Sequence, residues 1–468
     1  MDPRLARDLD DFDAVLERAL RLAQAFLDGL DERPAAARLS AEGPGSAATL
    51  PEAGIGAAAA LDGFHRDYDR YLSASAGPRY FGFVTGGVTP AALAADWLTA
   101  AYDQNAQQRS GDSCAPQIEM QALDMLRQLL GWPTGWTGVC VTGATMANFS
   151  GLALARQWYG RAMGHDIAAD GAGGLPAPAV FAGSAHSSIG KALSMLGLGR
   201  NALRPLPPLP GREALDVDAL RDALAGNDAP AIVCASAGTV NTADFDDLAA
   251  IARLKHAFPF WLHVDAAFGG IAAASPRYRT RLAGIEAADS VAVDAHKWLN
   301  LPYDCAVMFN AHLPLQVEVF QNRSDYLAPP EAAADNYLHL GPENSRRLRA
   351  LPLWTGLRAY GRAGYADIVE RNCAAARHFG TLVESEPRLR SAAPVRLNVA
   401  CFRLADGDDA ALAALHARLV AEGTAFFSAS RLDGRAILRA AVCNWRTRID
   451  DVERAFAAVR DALDALPR

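Results

Sequence analysis

The sequence predicts an α/β fold, with a mostly parallel sheet covered by helices on both faces and a smaller α+β region after it. Two observations carry this expectation. Short apolar runs at Val139–Thr142, Ala179–Phe181, Ala231–Cys234, Phe260–Val264 and Ser290–Val293 alternate with helix-like stretches, the pattern of parallel strands joined by crossover helices. Small or polar residues that can do chemistry follow directly after these runs. Ligand sites in open α/β sheets lie beyond the carboxyl ends of the strands.

Taken in order, residues 1–78 read as a helical segment. Leu5, Leu9, Phe12, Val15, Leu16, Ala19 and Leu20 recur at three- and four-residue steps up to about Leu30, and a second helical pattern covers Leu61 to Leu72. A Gly-, Pro- and Ala-rich loop separates them, from Glu42 to Gly56. The segment has an apolar face but is too small for its own core, so it is expected to pack on the main body or on another subunit. Residues 79–350 hold the alternating strands and helices. Residues 351–468 form the α+β region: a long helix around Trp354 to Glu384, strands at Leu397–Leu404 and Ile437–Val442, and an amphipathic closing helix from Ile449 to Leu466.

Composition excludes several classes. The chain has 468 residues, 51% hydrophobic and 21% charged, too apolar for a disordered chain and long enough for a large core. A net charge of −8 gives no electrostatic footprint for nucleic acid or for an anionic membrane surface. No run approaches the ~18 apolar residues of a membrane helix, and the charged N-terminus lacks the apolar core of a secretion signal. The seven cysteines are scattered without zinc or redox spacing. They read as reduced thiols in a cytoplasm, and no metal is expected.

The residues after the strands are the candidates. Thr142-Gly143-Ala144-Thr145 forms a strand-to-helix turn of small residues. It is either a phosphate cradle, with backbone N–H groups and a helix N-terminus facing the anion, or an ordinary tight turn. His186 after the second run is either a hydrogen-bonded core histidine or a ring-stacking group. Asp265 ends an apolar buried strand, which is costly unless it meets an Arg, a protonated ligand nitrogen, or N–H groups as a helix cap. Lys297 stands between His296 and Trp298, where desolvation makes an amine a better nucleophile. A phosphate cradle, a buried acid, a stacking histidine and a desolvated lysine together are what pyridoxal phosphate requires.

Asp294-Ala295-His296-Lys297-Trp298 resembles the lysine motif of the group II pyridoxal phosphate-dependent amino-acid decarboxylases, the family of the aromatic-amino-acid, histidine and glutamate decarboxylases. Trp261-Leu262-His263-Val264-Asp265-Ala266-Ala267 is similar to that family's aspartate strand, and the intervals from Lys297 to Asp265 and to His186 agree. The resemblance spans about Pro78 to Arg448. It implies a fold type I enzyme with a seven-stranded sheet, acting as a cytoplasmic homodimer. Lys297 would hold the coenzyme aldehyde as a Schiff base. His186 would stack on the ring, Asp265 would pair with the ring nitrogen, and Ala267 would pack beneath it. Ala144, Thr145 and His296 would meet the phosphate, and Ser345 would reach a partner's phosphate across the dimer. Thr239 or Asn241 would stand near the ring hydroxyl. Tyr326 matches the mobile-loop tyrosine that protonates the α-carbon, within a lid from Asn322 to Asn344. Phe83 and Val84, in Arg79-Tyr80-Phe81-Gly82-Phe83-Val84, would line an apolar side-chain pocket suited to an aromatic substrate. The expected reaction is decarboxylation of an L-amino acid to its amine and CO₂. The alternatives are transamination, carbon–carbon lyase chemistry, aldehyde synthesis, or a coenzyme-binding scaffold without turnover.

Overall fold

The computed structural model describes residues 1–37, 48–107, 113–324, 330 and 333–466. Twelve strands occur among them: β1 (Tyr80–Phe81), β2 (Thr137–Val141), β3 (Val180–Ala182), β4 (Leu203–Pro205), β5 (Ala231–Ser236), β6 (Phe260–Asp265), β7 (Ser290–Val293), β8 (Ala306–Asn310), β9 (Leu389–Ser391), β10 (Val399–Leu404), β11 (Phe426–Leu432) and β12 (Arg435–Ala441). They form two sheets. The larger has the order β2-β8-β7-β6-β5-β3-β4, and the smaller β1-β11-β12-β10-β9.

In the larger sheet only β8 runs against its neighbours, pairing antiparallel with β2 and β7. The other pairings are parallel. The carboxyl ends of β2, β7, β6, β5 and β3 therefore share one edge. Val139, Ile232, Val233, Leu262, Val264, Val291, Val293 and Val307 are all buried. β-Branched and aliphatic residues fit the pleated surface of a doubly covered strand, and burying each is worth ~1.5–3 kcal/mol. The helix Ala144–Ala162 packs across β6, β7 and β8.

The apolar runs in the sequence coincide with five of the seven strands. β4 and β8 are additional. In the C-terminal region β9, β11 and the helix Asp409–Glu422 are additional too. The long helix spans Ala350–Ser385, kinked at Gly361 with φ +55°, a conformation in which glycine avoids the steric cost of a Cβ. The N-terminal pattern is two helices, Pro3–Asp10 and Phe12–Asp28, rather than one. The expected loop from Glu42 to Gly56 lies partly outside the described residues.

One pairing crosses the regions expected from texture. β1 belongs by sequence to the alternating region, yet it pairs in parallel with β11 of the smaller sheet.

Candidate active site

Five loops at the carboxyl edge of the larger sheet, together with the segment after β1 and a residue of β12, enclose one cleft. Its lining includes Phe83, Val84, Ala144, His186, Thr239, Asp265, Ala267 and Lys297. Eight residues singled out from separate stretches of sequence thus meet in one place. Ser184, Ser236, Val240, Phe268 and Arg439 complete the wall.

Each position follows from local structure. Asp265 is the last residue of β6, with one oxygen accepting from the Ala267 N–H at 3.1 Å and the other from Asn148 Nδ2 at 3.0 Å. Lys297 lies in the short helix Ala295–Trp298 after β7, its Nζ 3.3 Å from Asp294 Oδ2. Burial pushes the Asp294 carboxyl up, but His296 and the Lys297 ammonium outweigh it and hold it below its ordinary value. Gly86 allows the segment after β1 to close on this helix. A Cβ there would stand 1.7 Å from the Lys297 carbonyl oxygen. His186 caps the helix Ser187–Met195. Burial lowers its pKa, Lys297 and Arg439 push the same way, and Asp265 opposes them.

Ala144 opens the helix Ala144–Ala162, whose N-cap, Gly143, supplies no side-chain hydrogen bond. The Met146 N–H donates to the Gly143 carbonyl at 2.9 Å, so the N–H groups of Ala144 and Thr145 are left for another acceptor. His296 lies against this turn, since a Cβ on Gly143 would be 3.5 Å from its Cε1. Its nitrogens are engaged within the chain: Nδ1 accepts from the Cys305 N–H at 3.3 Å and Nε2 stands 3.0 Å from Asp294. Thr145, next to Ala144, and Ser345 are not among the cleft residues. Ser345 is exposed beside Arg346, whose buried guanidinium donates to Glu119 at 2.7 and 3.0 Å. Tyr326 lies outside the described residues.

Thr239 reaches the cleft, but its hydroxyl hydrogen goes to Glu213 at 2.7 Å while its oxygen accepts from the Asp244 N–H. It can meet a ring hydroxyl only as an acceptor. Asn241 is held by Glu213 and the Arg431 carbonyl and does not line the cleft.

Sequence reasoning missed Arg439. It is 5% exposed, and its Nε and Nη2 have no hydrogen-bond partner among the described residues. Burial lowers its pKa. The signal was present: a lone charge within the apolar strand Ile437–Val442 is the same anomaly that marked Asp265. Unpaired N–H groups on a buried guanidinium suit an anionic ligand. With the uncapped turn, the carboxylate held at Asp265 and the amine of Lys297, the donors fit a phosphorylated aldehyde with a basic ring nitrogen.

Comparison with known proteins agrees. The family described as "Pyridoxal-dependent decarboxylase conserved domain" matches residues 60–405. The chain belongs to that family. This decarboxylase is 30% identical over 403 residues to tryptophan decarboxylase 1 of Oryza sativa subsp. japonica, covering 78% of this chain and 76% of that one. It is 30% identical over 422 residues to L-2,4-diaminobutyrate decarboxylase of Rhizobium meliloti (strain 1021), covering 88% and 83%. A crystal structure of Oryza sativa TDC with PLP and tryptamine superposes with a TM-score of 0.89 at 26% identity, covering 97% of this chain and 98% of that one. The fold is fold type I, the protein is a carboxy-lyase of amino-acid metabolism, and pyridoxal phosphate is its cofactor. Among the described residues, no helix of the decarboxylase is long and apolar enough to cross a membrane.

Proposed function

We propose that the enzyme decarboxylates an L-amino acid with an aromatic side chain, with Lys297 as the amine that holds the coenzyme aldehyde. The observation that carries this is the meeting of Lys297, Asp265, His186 and an unpaired Arg439 in one cleft. The bound coenzyme supplies an electron sink for the bond pair left when CO₂ departs. The chain supplies the rest. Asp265, fixed by two N–H groups, would receive the protonated ring nitrogen. His186 and Ala267 would hold the ring, and the turn at Ala144–Thr145 would take the phosphate. Arg439 would orient the substrate carboxylate, and Tyr326 would supply the proton to the α-carbon.

Phe83, Val84, Val240 and Phe268 give the cleft its apolar wall. Among the described lining residues Asp265 is the one carboxylate, and it is committed to the ring nitrogen. A cationic substrate side chain would find no free counter-charge among them, which favours an aromatic one. The relatives act on both kinds of substrate by name, tryptophan and 2,4-diaminobutyrate.

A second copy of the chain is expected to complete the molecule. The helices Pro3–Asp10 and Phe12–Asp28 have no buried residue, and they expose Leu5, Leu9, Phe12, Leu16 and Leu20. Phe83, at the cleft, is 65% exposed in one chain. Contiguous apolar surface of this kind marks an interface. Seven free cysteines, six of them buried, suit a reducing cytoplasm.

A panel of L-amino acids scored for CO₂ and amine tests the reading. Tryptophan, tyrosine or phenylalanine should turn over faster than 2,4-diaminobutyrate, and the reverse order would overturn the substrate assignment. Lys297→Ala should lose the visible absorbance of the bound aldehyde and all turnover. Ordinary activity in that variant would overturn the role of the amine.

A further inference from the structure

We propose that Asn148 is a positioning residue that locks Asp265 and His186 into one hydrogen-bonded unit, in which the Asp265 carboxylate sets the direction of the bonds. The inference rests on the reading of Asp265 and His186 as coenzyme-facing groups.

The unit starts at Trp261, whose indole N–H is a donor only and meets Ser290 Oγ at 2.9 Å. Ser290 Oγ is 2.8 Å from His263 Nδ1, and His263 Nε2 is 2.9 Å from Asn148 Oδ1. Asn148 Nδ2 is 3.0 Å from both Asp265 Oδ2 and Ser188 Oγ. Ser188 Oγ is 2.8 Å from His186 Nδ1, which also accepts from the Ser188 N–H at 3.2 Å. Asn148, His263, Ser290 and Trp261 are fully buried and Ser188 nearly so.

The Asp265 carboxylate decides which way these bonds run. Turning the Asn148 amide over would place its carbonyl oxygen 3.0 Å from Asp265 Oδ2, two acceptors with no hydrogen between them. The amide N–H groups must therefore face Asp265 and Ser188, and Oδ1 must accept from His263. His263 then carries its hydrogen on Nε2 and accepts from the Ser290 hydroxyl on Nδ1. Burial supports the neutral ring, pushing its pKa down to about 4. Ser188 has accepted from Asn148, so its own hydrogen goes to His186 Nδ1. His186 is left with its N–H on Nε2, the nitrogen that no group among the described residues holds.

The helix that carries Asn148 is shaped around this ring. A Cβ on Gly151, one turn further on, would stand 2.8 Å from His263 Cε1 and Nδ1 and 3.0 Å from Ser290 Oγ. One amide thus sets both the orientation of Asp265 and the tautomer of His186. A satisfied polar core alone would stabilise the fold without coupling the two. The charged groups that act on His186 are Asp265 and Asp294, which favour its protonation, and Lys297 and Arg439, which oppose it. All four stay in place in the Asn148, Ser188 and His263 variants below.

The test uses the full-length chain. Pyridoxal 5′-phosphate is titrated into coenzyme-free protein by quenching of tryptophan fluorescence, and the pH profile of kcat/KM is recorded for the reconstituted enzyme. Asn148→Leu should weaken coenzyme binding by about 10- to 100-fold, the range typical of lost outer-shell partners. It should also move the acid limb of the profile upward, because His186 Nδ1 loses its anchored donor. Ser188→Ala should move the limb in the same direction while changing coenzyme affinity by less than about threefold, since Asp265 keeps its partners. The double variant should shift the limb no further than either single one. If Asn148→Leu does not fold, His263 carries the test. His263→Gln restores a donor to Asn148 Oδ1 and should bind coenzyme within about threefold of the parent, whereas His263→Leu should resemble Asn148→Leu. Additive limb shifts, equal coenzyme affinity in the Gln and Leu variants, or a drop in melting temperature with an unchanged Kd and profile would each overturn the proposal. A Lys297→Ala variant that still turned over would instead refute the coenzyme-facing reading itself.

Discussion

Asp265 at the end of β6 and Arg439 within β12 are both buried ions beside the same cleft, yet the two sheets treat them differently. The larger sheet surrounds Asp265 with hydrogen-bond donors, two of them within 3.1 Å. The smaller sheet leaves Arg439 with Nε and Nη2 unpaired. A paired buried ion is held in place by its protein. An unpaired one carries a desolvation cost that only a ligand can offset. The large sheet has built its half of the site in advance, and the small sheet has left its half to be completed by what binds.

The largest expected effect breaks the Arg439 side of this contrast. Arg439→Met removes a buried guanidinium two of whose nitrogens have no hydrogen-bond partner among the described residues, so the coenzyme-free protein should melt at the same or a higher temperature while kcat/KM falls by at least ~100-fold. Asp265→Leu should do the opposite to stability. It strands the N–H groups of Asn148 and Ala267, at about 1–3 kcal/mol for each. If Arg439→Met melted lower and Asp265→Leu did not, the contrast would be wrong.

Tyr326→Phe should spare coenzyme affinity and lose amine formation, with dissolved oxygen as the oxidant and aldehyde, ammonia and hydrogen peroxide as the diverted products. Unchanged amine output, measured by chromatography, would remove Tyr326 from the mechanism.

A smaller effect sharpens the comparison within the larger sheet. His263 has a folded pKa of about 4, below its ordinary value near 6.5. The unfolded chain binds more protons in between, so this stability is present above about pH 6.5 and is lost as pH falls towards 4. Burial raises Asp246 to about 6 against the donated N–H groups of Leu215 and Ser236. The folded state then binds the extra proton, and this stability is lost as pH rises through 6. Each term is about 3 kcal/mol, and they oppose one another between pH 4 and 6. Asp246→Asn should therefore steepen the loss of stability on acidification over that window, as read by urea midpoints. A flatter slope would contradict the sign.

How much was legible in the sequence follows from what each element has to hide. β3, β5, β6 and β7 show as apolar runs because both faces of a parallel strand inside a doubly covered sheet are hidden, and β2, at the edge and antiparallel to β8, is buried from Gly138 to Val141 as well. β4 and β9 are three residues long at sheet edges and leave no pattern to read. The site residues at strand ends were legible because a charge after an apolar run is anomalous. Asn148 was not. It lies among Ala147, Phe149 and Ser150 on a helix of small residues, and nothing there distinguishes a buried amide from a surface one. Its role depends on His263 and Asp265, more than a hundred positions away.

Residues 80–86 join the two sheets by a route with a mechanical consequence. β1 hydrogen-bonds along β11, Phe83 N–H donates to Ser428 Oγ at 2.9 Å, and Gly86 rests on the Lys297 carbonyl. The segment is a strap hydrogen-bonded to the smaller sheet at one end and packed against the Lys297 backbone at the other. Any swing of the C-terminal lobe pulls on the floor beneath the amine, and a single protease cut within the strap would uncouple them while leaving both hydrophobic cores whole.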